Sequence, residues 1–231
     1  MRCALFLPLF GVATVILGLL SSLCALVDRS GRTSHQFARY WSRFIFWGVG
    51  IRVEVSGVEN IPHDHAVIFA SNHQSTIDIP AMFGFLPVQF RIMAKQILFM
   101  VPFLGWHLYM AGNIPIDRRN PGKAQRGLLK AAARVRNGIS LFVFVEGTRT
   151  RDGKLCRFKR GSFTLAKKLN VSIVPVAILG AFELMPVGAV LAKPGVIQLK
   201  IMPPVAVSPD SPSDELVKAV RTHLLAAGLQ E

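Results

Sequence analysis

The chain has 231 residues, 51% of them hydrophobic and 17% charged, with a mean hydropathy of +0.41. That length suits one domain with an appendage, and the composition excludes a disordered polar chain and points to contact with lipid. Three scattered cysteines exclude a disulfide framework and fit a reducing compartment, while a net charge of +14 asks for an anionic partner.

From the amino terminus, residues 3–27 carry no charge and reach the length of a bilayer-spanning helix, with Arg2 before them and Asp28, Arg29 and Arg32 after. A cleaved signal peptide fits less well, because the apolar run is long and no small-x-small pattern ends it. Arg29, Arg32, Arg39 and Arg43 outweigh Arg2 and the amino terminus, which places the bulk of the chain on the cytoplasmic face of the membrane. Residues 37–53, FARYWSRFIFWGVGIRV, mix aromatic rings with Arg39, Arg43 and Arg52. They read either as a helix lying in the headgroup region or as a helix packed on the domain. The expected division is a membrane-embedded or interfacial helical segment over 1–50 and an α/β domain over 51–231. Whether residues 3–27 span the bilayer or embed in one leaflet stays open.

IRVEVSGVEN, from Ile51, alternates apolar and polar residues and reads as a strand ending at Gly57. AVIFASN (66–72) is a short continuous apolar run, as expected of a strand buried on both faces. Further strands are expected over 90–95, 113–118, 139–147, 172–179 and 196–202. Helices are expected near 79–86, 97–110, 121–137, 162–169 and 212–227. The alternation predicts an α/β fold with a mixed central sheet flanked by helices. The helix over 121–137 has Asn120 as its cap, Pro121 in its first turn and Gly138 just past its end. Its residues Lys123, Arg126, Lys130 and Arg134 form a positive stripe, fit for solubility or for an acidic carrier or membrane surface. Charge is concentrated here: between Asp117 and Lys168 stand fifteen Lys or Arg against three Asp or Glu.

Two clusters carry chemistry. In SNHQSTIDIP (71–80), His73 and Asp78 are five apart, so a regular helix would turn them about 140° away from each other. They meet only if the backbone turns between them. Ser75-x-x-Asp78 also matches a capping box, but a helix starting at Ser75 would put Pro80 where its missing N–H breaks a hydrogen bond. With Asp78 as the cap, Pro80 falls in the first turn, and His73 lies in a loop at the C-terminal end of a strand, where α/β folds hold ligands. No Gly-x-Ser-x-Gly elbow is present. Cys156 lies among Lys154, Arg157 and Lys159, which favour a thiolate, yet nothing else marks it as a nucleophile. The economical reading is a general base, His73, oriented by Asp78 and acting on a hydroxyl of the substrate. The second cluster is FVEGTRTRDGKLCRFKRG (144–161), where N–H groups around Gly147, the Thr148 hydroxyl and the Arg149 fork suit a phosphate monoester. His63-Asp64-His65 lacks further ligands at metal-site spacing. No zinc site, helix-turn-helix or base-stacking motif supports a nucleic-acid partner.

NHQSTID followed some seventy residues later by VEGTR resembles the glycerophospholipid acyltransferase family, in particular its bacterial 1-acylglycerol-3-phosphate acyltransferases. The resemblance runs from about Val53 to Pro204 and takes in MAKQIL (93–98), GNIPIDR (112–118) and IVPVAI (173–178) in the family's order. It implies His73 as base and Asp78 as its partner. Lys95, Arg118, Glu146, Gly147, Thr148 and Arg149 would bind the acceptor, with Lys95 and Arg149 on the phosphate. The implied reaction passes a fatty acyl chain from acyl-CoA or acyl-carrier protein to lysophosphatidic acid at the membrane, giving phosphatidic acid with no cofactor and no metal. Another lysophospholipid acceptor, such as a lyso-ornithine lipid, is the alternative. Val145 stands where the family commonly has proline, and Ile97 where many members have glutamate. Apolar residues over 97–110 would line an acyl tunnel, dip into the bilayer, or pack as ordinary core.

Overall fold

The computed structural model describes residues 2–28, 30–117 and 121–231. Seven strands form one sheet: β1 (Ile51–Ser56), β2 (Ile68–Ser71), β3 (Phe90–Lys95), β4 (Ile114–Ile116), β5 (Ser140–Phe144), β6 (Ile173–Leu179) and β7 (Gly195–Ile201). Their order is β1-β7-β6-β2-β5-β3-β4. All neighbours run parallel except β6 and β7, so the sheet is mixed, as the alternating sequence implied.

The central strands are buried on both faces, and side-chain alternation sorts them into two cores. Phe69 of β2, Phe142 of β5 and Val174, Val176 and Ile178 of β6 face one core. Ile68, Ala70, Leu141, Val143, Ile173 and Ala177 face the other. The first core is covered by α2 (Arg32–Val49) and α3 (Asp78–Phe85), the second by α5 (Pro121–Arg136), α6 (Gly161–Leu169) and α8 (Ser213–Ala226). The predicted helix over 97–110 is a short 3-10 turn, Gln96–Met100, followed by α4 (Leu104–Met110). Pro102 explains the break: it cannot donate the N–H that a continuous helix needs there. One short helix, α7 (Ala181–Leu184), was not expected from the sequence.

α1 (Arg2–Val27) packs on α2 and α4. Its stretch Phe6–Val27 is long and apolar enough to cross a membrane and is only 11% buried, leaving Leu9, Val12, Ile16 and Leu23 in the open. A helix that is apolar all round and unburied needs a lipid surface, so the chain associates with membrane through it. α2 packs on the domain through one face and leaves the other exposed. Ala38, Phe46 and Val49 join the core, while Tyr40 and Trp47 remain 60% and 67% exposed. Arg39 and Arg43, however, do not point to headgroups. Arg39 Nη2 donates to the carbonyl of Leu86 at 2.7 Å and Arg43 Nε to that of Gly84 at 2.9 Å. Carbonyls at a helix end lack intrahelical partners, and the guanidiniums of α2 supply them at the end of α3.

Candidate active site

The site lies past the C-terminal ends of the parallel strands β2, β5 and β3. Asn72, the first residue beyond β2, acts as a substitute peptide group: its Nδ2 donates to the Ile178 carbonyl at 2.9 Å and its Oδ1 accepts the Ile178 N–H at 2.8 Å. This fixes where the chain leaves the sheet. The next residues form a loop, and the loop brings His73 and Asp78 together, with His73 Nδ1 and Asp78 Oδ2 2.8 Å apart. The same oxygen accepts the backbone N–H groups of Gln74 at 2.7 Å and Ser75 at 2.8 Å.

Asp78 begins α3 and Pro80 sits in its first turn, as the proline required. Its carboxylate, however, does not cap that helix. It reaches backward to the loop, and the N–H of Ile77 is taken instead by the Ser75 hydroxyl at 3.3 Å. All three loop donors converge on Oδ2, while Oδ1 is buried without a hydrogen-bond partner. Asp78 is fully buried, whereas the His73 side chain is 15% exposed. A carboxylate can only accept, so Nδ1 carries the proton and Nε2 keeps its lone pair.

Three further contacts hold His73, one on its ring and two on its backbone. Its ring lies flat on that of Phe144, the last residue of β5, with centroids 3.9 Å apart and planes 15° from parallel. The N–H of Thr150 donates to the His73 carbonyl at 3.0 Å. The His73 N–H donates to Glu146 Oε1, also at 3.0 Å. Glu146 Oε2 accepts the Cys156 N–H at 3.0 Å, and the residue is 1% exposed. Its carboxylate therefore straps two loops together. Burial pushes the Glu146 carboxyl above its usual range, against the opposing pull of those N–H donors. Cys156 departs from the sequence reading: burial first, then the neighbouring Glu146 carboxylate, pushes its thiol up despite the basic residues beside it in sequence. The lysines and arginines of that loop do not outweigh a carboxylate within hydrogen-bonding reach.

Arg149 donates to the Thr76 hydroxyl, which joins the second sequence cluster to the first. Gly147 takes a left-handed conformation with φ 74°, turning the chain back after Glu146, and Thr148 is exposed beside it. Lys95 is exposed at the C-terminal end of β3. Arg118 and the cap residue Asn120 lie outside the described residues. Among the described residues no three His, Cys, Asp or Glu cluster as metal ligands; His65 of the His-Asp-His stretch pairs with Asp64 at 2.7 Å in the open.

Beside Thr76 opens a cavity of about 230 Å³, walled by α1, α2, α3 and α4. Leu17, Phe37, Trp41, Phe83, Phe103 and Leu108 supply its apolar lining. Residues over 97–110 thus divide their roles. Leu98, Phe103, Leu104 and Leu108 line the cavity, while Ile97, Met100, Trp106 and Tyr109 are exposed. Sequence reasoning passed over Asn72, Thr76 and Phe144. The polar run between His73 and Asp78 was the available signal for Thr76; nothing local marks Phe144 as a ring support.

A histidine paired with a buried carboxylate at a strand end, with an arginine nearby and an apolar cavity alongside, makes an enzyme-like site. A model of the acyltransferase family matches residues 52–179, and the chain belongs to that family. It is 33% identical over 195 residues to the chloroplastic 1-acyl-sn-glycerol-3-phosphate acyltransferase of Brassica napus, a match covering 82% of this chain and 56% of that protein. To the 1-acyl-sn-glycerol-3-phosphate acyltransferase of Pseudomonas aeruginosa it is 34% identical over 208 residues, covering 87% of this chain and 79% of that one. The chain thus spans about half the length of the chloroplastic relative. The crystal structure of the 1-acyl-sn-glycerophosphate acyltransferase PlsC of Thermotoga maritima superposes with a TM-score of 0.83 at 30% identity, over 98% of this chain and 96% of that one.

Proposed function

We propose that the protein transfers a fatty acyl group from a thioester, acyl-CoA or acyl-carrier protein, to the free hydroxyl of 1-acylglycerol-3-phosphate. The product is phosphatidic acid. One observation carries this reading: Thr76 lines the apolar cavity and also receives Arg149, three residues from His73. A lipid tail and an anionic headgroup therefore have adjoining places around one base.

His73 Nε2 takes the proton of the acceptor hydroxyl as its oxygen bonds to the thioester carbonyl carbon, and Asp78 stabilises the imidazolium that forms. Collapse of the tetrahedral intermediate breaks the C–S bond, and the leaving thiolate recovers the proton from His73. No covalent enzyme intermediate, metal or cofactor enters this scheme. The N–H groups of Gln74, Ser75 and Ile77 are engaged within the loop and that of His73 by Glu146. That of exposed Thr76 has no partner among the described residues, which makes it the available donor for the developing oxyanion. Arg149 and Lys95 are assigned to the acceptor phosphate and Arg118 to acceptor binding. Glu146 serves the site by holding the His73 loop, with Gly147 and Thr148 shaping the turn that presents Arg149. The catalytic domain faces the cytoplasm, in keeping with the arginines that follow the apolar segment.

Purified His73→Ala protein should lose acylation of lysophosphatidic acid while still binding vesicles; undiminished turnover would overturn the mechanism. Offered a phosphate-free lyso-ornithine acceptor, the wild type should turn over far more slowly. Equal rates would assign the site to another lysolipid.

A further inference from the structure

A second cavity, of about 380 Å³, opens at the β4 edge of the sheet. It lies alongside β4, whose Ile114 and Pro115 line it, and beside the last turns of α5, which lead into the end of β5 away from His73. Tyr109, Gly112, Asn113, Lys130, Arg134 and Asn137 line it. Asn113 is only 6% exposed. Its Oδ1 accepts the Ile92 N–H at 3.0 Å, which fixes the amide orientation, and its buried Nδ2 then has no partner. A buried donor left unpaired is destabilising, and a ligand that accepts from it removes that cost.

Positive charge gathers around it. Gly112, at φ 76°, is the point where two guanidiniums converge: a Cβ there would lie 3.0 Å from Arg134 Nη2 and 3.3 Å from Arg91 Nε. Arg91 is fixed by the carbonyls of Phe90 and Ser30 and is 1% exposed. Burial, and after it the charge of Arg134, pulls Arg91 down to about 10. Asp28 is the carboxylate felt there, but its oxygens are taken by Ser30 and Thr33. Among the described residues no carboxylate forms an ion pair with Lys130 or Arg134. The end of α5 favours one cation through its backbone dipole. That accounts for Arg134 alone and not for the orphaned amide or the paired guanidiniums.

We propose that this pocket binds a phosphate-bearing anion, held by Lys130, Arg134 and the Nδ2 of Asn113, at a site separate from the one that receives the acceptor. A membrane lipid headgroup is the favoured source. Tyr109 at the pocket rim is 72% exposed, and Trp106, Met100 and Ile97 are exposed on the same segment. That segment includes α4, which packs on the membrane helix α1. Aromatic side chains of this kind settle at headgroup depth, and basic pockets there take lipid phosphates. Free phosphate is the other source of the same chemistry.

The test uses the full chain in neutral detergent, in an Arg149→Ala background so that the acceptor site contributes less. At limiting lipid, it should float with phosphatidylcholine vesicles containing phosphatidylglycerol on the order of tenfold better than with phosphatidylcholine alone. Lys130→Gln/Arg134→Gln should abolish that advantage, while Lys193→Gln/Lys218→Gln, an equal charge loss elsewhere, should keep it. In parallel, inorganic phosphate is compared with chloride at equal ionic strength by thermal unfolding. A phosphate-specific rise in Tm that Lys130→Gln/Arg134→Gln removes, without a vesicle effect, supports the site with free phosphate as its ligand. Equal losses in both double variants, or no pocket-dependent response in either assay, overturns the proposal.

Discussion

The imidazole of His73 lies on the ring of Phe144 with centroids 3.9 Å apart, so the base is oriented by one hydrogen bond at its edge and one aromatic face beneath it. A ring held only by Asp78 would be free to rock about the Nδ1 bond. Phe144→Ala should lower kcat by up to about 100-fold, since small misplacements of a reacting group cost that much. Phe144→Leu, which keeps bulk beneath the ring, should restore most of the rate. Steady-state kinetics on both variants, with KM followed separately, is the check.

Asp78→Asn replaces a charge by a dipole in a fully buried position. The three loop donors keep an oxygen acceptor, but the imidazolium formed during transfer loses its counter-charge. We expect kcat to fall on the order of 10³- to 10⁴-fold, with the fold retained by circular dichroism. A rate near that of the wild type would show that His73 acts without its carboxylate.

Glu146→Gln leaves one of two backbone N–H groups facing an amide N–H₂ in place of an acceptor. The expected cost is about 1–3 kcal/mol of stability. Because one of those donors belongs to His73, activity should drop together with stability. Urea unfolding and acylation rates measured on the same preparation test that linkage; a stable variant with poor KM would place Glu146 in direct contact with acceptor.

His35 gives the fold an acid limit. It sits between the rings of Phe83 and Phe90, and burial, then the charges of Arg91 and Arg39, pulls its pKa down to about 3 from 6.5. Burial likewise takes His107 to about 4. Both are depressed in the folded state, so the unfolded chain binds more protons below 6.5, and stability falls as pH drops through that window. Each imidazole contributes at most about 1.4 kcal/mol per pH unit there. His35→Phe should flatten the slope of thermal stability against pH between 6.5 and 4. An unchanged slope would assign the acid sensitivity elsewhere.

Much of this was legible in the sequence for identifiable reasons. Pro80 excluded a helix running back to Ser75, and that exclusion implied the turn through which His73 meets Asp78. Continuous apolar runs marked β2, β5 and β6 because strands buried on both faces have no polar side. The strand order could not be read, nor the reversal between β6 and β7, because pairing depends on contacts far apart in sequence. Glu146 was the least readable residue of the site. Set beside glycine, threonine and arginine it looks like part of an exposed binding turn, yet it follows the apolar strand β5 by two residues and turns inward to two N–H groups. Arg39 and Arg43 misled in the opposite way: arginines among aromatics look like headgroup contacts until a helix end lacking donors is placed against them.

That last arrangement makes α3 a short strut. Asp78 is its first residue, and the carbonyls of Gly84 and Leu86 at its far end are gripped by Arg43 and Arg39. Eight residues of helix measure about 12 Å. The carboxylate that aims the base is thus one rigid span from the helix whose other face carries Tyr40 and Trp47. A substitution that frees Arg39 or Arg43 therefore acts on the far end of the helix that begins with Asp78.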